Sequence, residues 1–233
     1  RVIITPTEGT LMVKQLGFAA AKLLQELLEP DSVVAISGGS TMAAVAEEMP
    51  ILPFNPTVVP ARGGVGAVVE YPANVIASVL AERLRGTYKM LHLPDGLSQD
   101  SLHMLMTCEP QIKEISDLIS RTDVLLFGIG TAMRMADQRH IADEVRKQLV
   151  DNHAVGEALG QYCDMAGKLI YSTNNIGLSL PDVAKVPNVI AVAGGQEKAS
   201  AIIGVMRACQ KGILIIDEQA AEGMRQLLQI SAL

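Results

Sequence analysis

The chain has 233 residues, 49% of them apolar, with 19 basic against 25 acidic side chains and a formal net charge of −6. That length suits one large α/β domain or two small ones, and an acidic balance without a Lys/Arg cluster argues against nucleic-acid binding by this chain alone, since phosphate neutralisation supplies most non-specific affinity. Four Tyr, three Phe and no Trp offer no base-stacking platform, no apolar run approaches the ~20 residues of a membrane span, and no basic-then-apolar leader is visible.

In chain order, apolar periodicity predicts a helix over Leu11–Leu28, a strand over Val33–Ser37, a helix over Thr41–Met49 and a strand over Pro56–Pro60. A helix over Pro72–Leu84, a strand over Tyr88–Leu93, a helix over Gln111–Ser120 and a strand over Asp123–Phe127 follow. Then come a helix over Ala142–Val150 and strands over Lys168–Tyr171 and Asn188–Ala193. A helix over Glu197–Gln210 and a strand over Ile213–Asp217 complete the series. In the helix over Glu197–Gln210, Ala199, Ile202, Ile203 and Met206 share one face, as in a helix lying on a sheet. Strands alternating with helices predict a doubly wound, mostly parallel α/β sheet. The stretch Asp151–Pro187, richer in Gly, Asn and Pro, is expected to form a smaller inserted subdomain.

The three cysteines, Cys108, Cys163 and Cys209, are odd in number and widely spaced, which favours reduced thiols and a cytoplasmic setting. His92, His103, His140 and His153 show no metal-ligand spacing, so no metal and no cofactor are expected.

A strand–glycine–helix device recurs. VVAISGGSTMAAVA (Val33–Ala46) is echoed by VIAVAGGQEKASAI (Val189–Ile202) and, more loosely, by VLLFGIGTAMRMA (Val124–Ala136). A fourth cluster, Arg62-Gly63-Gly64, follows the run TVVPA. In an open α/β sheet the loops after the strands gather along one edge, where ligands bind. Glycines let backbone N–H groups approach a ligand, and a helix starting right after them adds unpaired donors suited to an anion. Any one such turn is equally well a tight closure. Several together, beside hydroxyls and cations, favour a phosphate. The phosphate-binding GxxxxGK[ST] is absent, and the third glycine of a dinucleotide fingerprint is replaced by Met133.

SGGST followed by a helix resembles the sugar-phosphate loop of the glucosamine-6-phosphate isomerase/ribose-5-phosphate isomerase/CoA-transferase-like fold. Together with Arg62-Gly63-Gly64, Gly128-Ile129-Gly130 and AGGQEK (Ala193–Lys198), it resembles the effector-binding domain of SorC-family bacterial transcription regulators. The resemblance covers essentially the whole chain, residues 1–233, as one effector-binding and oligomerising domain. It implies a cytoplasmic repressor of glycolytic genes, a homodimer or homotetramer. Operator DNA would be bound through a helix-turn-helix domain N-terminal to this fragment. A chain beginning at Arg1 rather than Met accords with such a missing part. The implied effector is fructose-1,6-bisphosphate or a related phosphorylated sugar.

The alternative is a sugar-phosphate isomerase or deaminase of the same fold. Those enzymes carry a GIGxDGH-type motif whose acid and histidine move protons. Here the matching place reads GIGTAMRM, and alanine and methionine relay no proton. His140 lies ten residues past Gly130, and its plain reading is an ordinary surface histidine. Glu157 and Glu197 could in principle serve as the carboxylate nucleophile of CoA transfer, but no CoA signature surrounds either. No catalytic residue is therefore expected.

For effector binding, Gly38, Gly39, Ser40 and Thr41 are expected to hold one phosphate through amide and hydroxyl donors. Lys198 adds a point charge, and Arg62 beside Gly63 a bidentate fork. Arg134 or Arg139, after Gly128 and Gly130, reaches a second phosphate, Arg139 fitting the family pattern better. Glu157 suits sugar hydroxyls, and Asp151 and Asn152 are weaker candidates.

Overall fold

The computed structural model describes residues 1–7, 9–64, 71–94 and 96–229. The chain opens with strand β1 (Val2–Thr5), helix α1 (Met12–Leu27), β2 (Val33–Ile36), α2 (Ser40–Glu48), β3 (Thr57–Pro60) and α3 (Ala73–Arg83). It continues through β4 (Thr87–Tyr88), α4 (Gln99–Cys108), α5 (Pro110–Ser120) and β5 (Val124–Gly128). An excursion follows: β6 (Gly130–Thr131), α6 (Ala132–Gln138), α7 (Asp143–Asp151), β7 (Gly156–Ala158), β8 (Gln161–Cys163) and β9 (Leu169–Ser172). The chain then returns for β10 (Asn188–Ala193), α8 (Ala199–Cys209), β11 (Ile213–Asp217) and α9 (Glu218–Leu227).

Seven strands form one sheet in the order β1-β11-β10-β5-β2-β3-β4, every pair parallel. A sheet covered on both faces needs strands that are apolar at every position, which is why the central runs VVAI, VLLFG and NVIAVA do not alternate. The period of two still sorts them. Val34, Ile36, Val124, Leu126, Ile190 and Val192 pack with α1, α2 and α3 on one face. Ala35, Leu125, Phe127, Ala191 and Ala193 pack with α4, α5, α8 and α9 on the other. Each fully buried Leu, Ile or Phe contributes roughly 1.5–3 kcal/mol. The doubly wound α/β architecture is as the alternation of elements predicts. No described helix is long and apolar enough to cross a membrane.

Three expectations need correction. The strand expected over Tyr88–Leu93 ends at Tyr88, because β4 is the sheet edge. Past it, the Asn74 side chain replaces a ladder partner, accepting from the Leu91 N–H at 3.0 Å and donating to its carbonyl at 3.2 Å. The inserted subdomain begins before Asp151, since its antiparallel sheet has the order β6-β7-β8-β9 and starts at Gly130. Its own small core holds Ala132, Ala136, Leu149 and Tyr162, whereas Leu180 and Val183 already belong to the main core. Lastly, α8 is buried on more than the expected face, with Ala201, Gly204 and Val205 enclosed as well. The small sheet covers its outer side closely: a Cβ on Gly156 would lie 2.8 Å from the Ala201 carbonyl, and one on Gly204 2.5 Å from that of Asp164.

Candidate functional site

The sheet order makes β10, β5, β2 and β3 consecutive neighbours, and these are the strands that end in the four glycine turns. Register aligns their ends: Ile36 lies opposite Leu126 and Pro60, and Val192 opposite Gly128. All four turns therefore share the carboxyl edge. The Ser37 hydroxyl stitches two of them together, accepting from the Gly128 N–H at 3.1 Å.

The sequence echo between GGST and GGQEK is also a conformational echo. Gly39 has φ +110 and ψ 157, Gly195 φ +100 and ψ 136, and each directly precedes helical residues. That φ is open to glycine and strained for any L side chain. No side chain caps α2 or the turn at Gln196–Lys198 that leads into α8. The hydroxyls of Ser40 and Thr41 make no hydrogen bond among the described residues. The Gly39 N–H, however, donates to the Tyr71 carbonyl at 3.0 Å, so it is already engaged. Donors toward a ligand at α2 are accordingly the amides and hydroxyls of Ser40 and Thr41. Gly38 is needed for the close approach of Tyr71, whose carbonyl would lie 2.9 Å from a Cβ there.

Lys198 closes the Gln196–Lys198 turn, and its ammonium has no hydrogen bond or ion pair among the described residues. Burial pushes it below the ordinary lysine range, and the Arg134 guanidinium pushes the same way against the opposing influence of Glu197 and Asp217. Arg134 is exposed and makes no ion pair among the described residues. Lys198 thus feels one further cation, Arg134, and two carboxylates, Glu197 and Asp217.

Arg139 and Glu157 meet each other. Glu157, 3% exposed, accepts from Arg139 Nη2 at 3.2 Å and from the Gly160 N–H at 2.6 Å. Arg62 is likewise built in: its Nη2 donates to Thr173 Oγ1 at 2.9 Å, and that hydroxyl donates to the Gly160 carbonyl at 2.9 Å. Gly160, φ +76, makes room for this, since a Cβ would come within 2.5 Å of the Arg62 guanidinium carbon. One buried polar network thus joins the turn after β3 to the small sheet. Gly63 lies in that turn, its N–H on the Ile176 carbonyl at 2.8 Å. Gly130 pairs with Glu157 across β6 and β7 and so carries the GIG turn into the same region. Asp151 and Asn152 end α7, both exposed, and the Asn152 side chain donates to its own helix's Gln148 carbonyl at 2.9 Å. Among the described residues, no hydrogen bond or ion pair joins those two to the glycine turns.

Cys163 and Cys209 are buried, and desolvation pushes both thiols up to about 12, which disfavours the thiolate that nucleophilic attack needs. Sequence reasoning missed Gly160 and Thr173, which reach Arg62 only through long-range contacts. It also passed over Ser37 as a brace between two turns.

Residues 1–226 match a sequence family described as "Putative sugar-binding domain". The chain belongs to this sugar-binding family. The chain is similar to the central glycolytic genes regulator of Bacillus subtilis (strain 168), 37% identical over 211 residues, covering 90% of this chain and 62% of the relative. The protein of the same name from Priestia megaterium is 39% identical over 211 residues, covering 89% and 61%. This sugar-binding chain therefore spans less than two thirds of the length of either relative. Among solved structures, a SorC-family transcriptional regulator from Enterococcus faecalis superposes with a TM-score of 0.87 at 35% identity, covering 96% of this chain and 94% of that one. The full-length sorbitol operon regulator of Klebsiella pneumoniae, at 22% identity and a TM-score of 0.83 over 96% and 75%, shares the fold.

Proposed function

We propose that this sugar-binding domain is the effector sensor of a transcriptional repressor of glycolytic genes, and that it holds fructose-1,6-bisphosphate or a close relative along the carboxyl edge of β10, β5, β2 and β3. The observation that carries this reading is the pair of uncapped helical starts flanking β5, one with the free hydroxyls of Ser40 and Thr41, the other with the unpaired ammonium of Lys198. They are two strand spacings apart, about 10 Å. That separation favours a sugar phosphorylated at both ends over a monophosphate.

Under this reading one phosphate sits at Gly38–Thr41 and the other at Gly194–Lys198 with Arg134. Arg134 takes the role first given to Arg139, because Arg139 is held by Glu157. Arg62, Gly63, Gly128 and Gly130 form the floor and wall between. Two cations and two helix starts balance a bisphosphate's roughly −3 to −4 charge without a metal. Operator DNA would be met through a further helix-turn-helix part of the regulator, and the domain would assemble as a homodimer or homotetramer.

The acid and histidine of the isomerases' motif have no counterpart at the matching place. Ala132 and Met133 stand in the GIG turn, and Glu157 and Asp217 are both consumed by hydrogen bonds. The expected outcome is binding without turnover. Incubation with fructose-1,6-bisphosphate, fructose-6-phosphate and glucosamine-6-phosphate, followed by NMR, should show no product, while the bisphosphate raises the melting temperature by mass action. Isomerisation or ammonia release above a no-protein control would restore the isomerase alternative.

A further inference from the structure

Asp217, the last residue of β11, is 0% exposed. Its Oδ1 accepts from the Gly195 N–H at 2.9 Å and from the Ala220 N–H at 3.0 Å, and its Oδ2 accepts from the Thr7 hydroxyl at 3.0 Å. One carboxylate therefore gathers the glycine turn after β10, the start of α9 and the segment leaving β1. Thr7 is fastened to the same place twice more, its N–H donating to Glu218 Oε2 at 3.2 Å and its hydroxyl accepting from the Gln219 N–H at 3.4 Å. The in-register pairing of Thr5 with Asp217 brings these groups together.

Gly195 is fixed from both sides. Its N–H is on Asp217, and its carbonyl accepts from the Lys198 N–H at 3.1 Å. A buried carboxylate that loses a donor carries an unsatisfied charge, so the turn cannot re-aim without a penalty at Thr7 or α9. The coupling runs equally in the other direction, because linkage between two sites is reciprocal.

We propose that Asp217 is the positioning residue of the effector site: it sets the Gly194–Gly195 turn, and with it Lys198, and ties that turn to β1. Occupancy of the site and packing of the N-terminal strand then respond together. The second half of this inference rests on the proposed sugar-phosphate reading; the first half does not.

The test is amide hydrogen exchange on the 233-residue chain and on Asp217→Asn, Thr7→Val and Thr7→Ser, with and without fructose-1,6-bisphosphate. Without ligand, Asp217→Asn should speed Gly195 exchange at least tenfold. With ligand, wild type and Thr7→Ser should gain protection across Val2–Thr5, and Thr7→Val should not. Affinity should fall about tenfold in Asp217→Asn. Should that variant fail to fold, Thr7→Val decides the coupling, and Gly195 exchange in Asp217→Ser decides the positioning role. Ligand-induced protection that survives in Thr7→Val overturns the coupling, and unchanged Gly195 exchange in Asp217→Asn overturns the positioning role. If wild type binds no phosphorylated sugar, the functional reading fails, while the ligand-free exchange still judges whether Asp217 sets the turn.

Discussion

Replacing Lys198 by Ala should weaken fructose-1,6-bisphosphate binding by about 2 kcal/mol or more, roughly thirtyfold, because truncating a desolvated partner of a charge pair strands the other charge. The ammonium is placed for this by the φ +100 glycine before it and by a helix start without a side-chain cap. Its proton is also held loosely, since burial and Arg134 lower its titration range. A phosphate arriving beside it favours the charged form and raises that range again. The sign follows: binding takes up a proton wherever the free lysine has begun to deprotonate, and affinity declines as pH rises through that range. The window is displaced below the ordinary lysine range. Calorimetry in two buffers of different ionisation heat measures the uptake directly. Lys198→Ala should lose both the affinity and the proton uptake. Wild-type affinity in that variant would remove Lys198 from the site.

Arg139→Ala should instead cost folding stability, about 3 kcal/mol, because it leaves the buried carboxylate of Glu157 without its cation. Among the described residues the other donor is the Gly160 N–H, which cannot neutralise the charge. Adding Glu157→Gln should recover much of the loss, since an amide needs no counter-ion, and the double-mutant cycle then gives a large coupling energy. Arg134→Ala, on an exposed helical position, should change stability by less than about 0.5 kcal/mol and yet weaken ligand binding. Urea denaturation of the four variants separates these outcomes. A stable Arg139→Ala with no coupling to Glu157 would show the pair to be a surface contact of no consequence. A destabilised Arg134→Ala would reverse the assignment of the two arginines.

The contrast between those arginines marks where the sequence stops being readable. Strand-length apolar runs ending in paired glycines were legible, because the backbone requirement at Gly39 and Gly195 is local and only glycine meets it cheaply. Sheet membership was legible too, since a parallel sheet buried on both faces demands continuous apolar runs. The small sheet was only half visible. β7 and β8 are three residues each, and what holds them is pairing with β6 and packing on α8, neither of which leaves a periodic trace. Short β1 was passed over because its ladder partner, β11, lies at the far end of the chain. α9 was missed although Asp217 caps it, its side chain accepting from the Ala220 N–H. Which arginine faces the glycine edge depends on the short helix α6 after Gly130-Thr131, unforeseen in the sequence. Arg134 lies in its first turn near Lys198, and Arg139 at its end beside Glu157. Likewise the glycines beside Arg62 suggest a phosphate fork, but Thr173 and Gly160, which seat its guanidinium, come from far along the chain, Thr173 lying 111 residues away.

The most direct measurement is calorimetric titration of the chain with fructose-1,6-bisphosphate, fructose-6-phosphate and unphosphorylated fructose under one buffer. A site with anion seats at both α2 and α8 predicts a graded series: tightest binding for the bisphosphate, weaker for the monophosphate, and no measurable heat for fructose. Fructose binding as well as the bisphosphate, or no heat from the bisphosphate at all, would contradict a phosphate-holding edge and leave the glycine turns as structural closures.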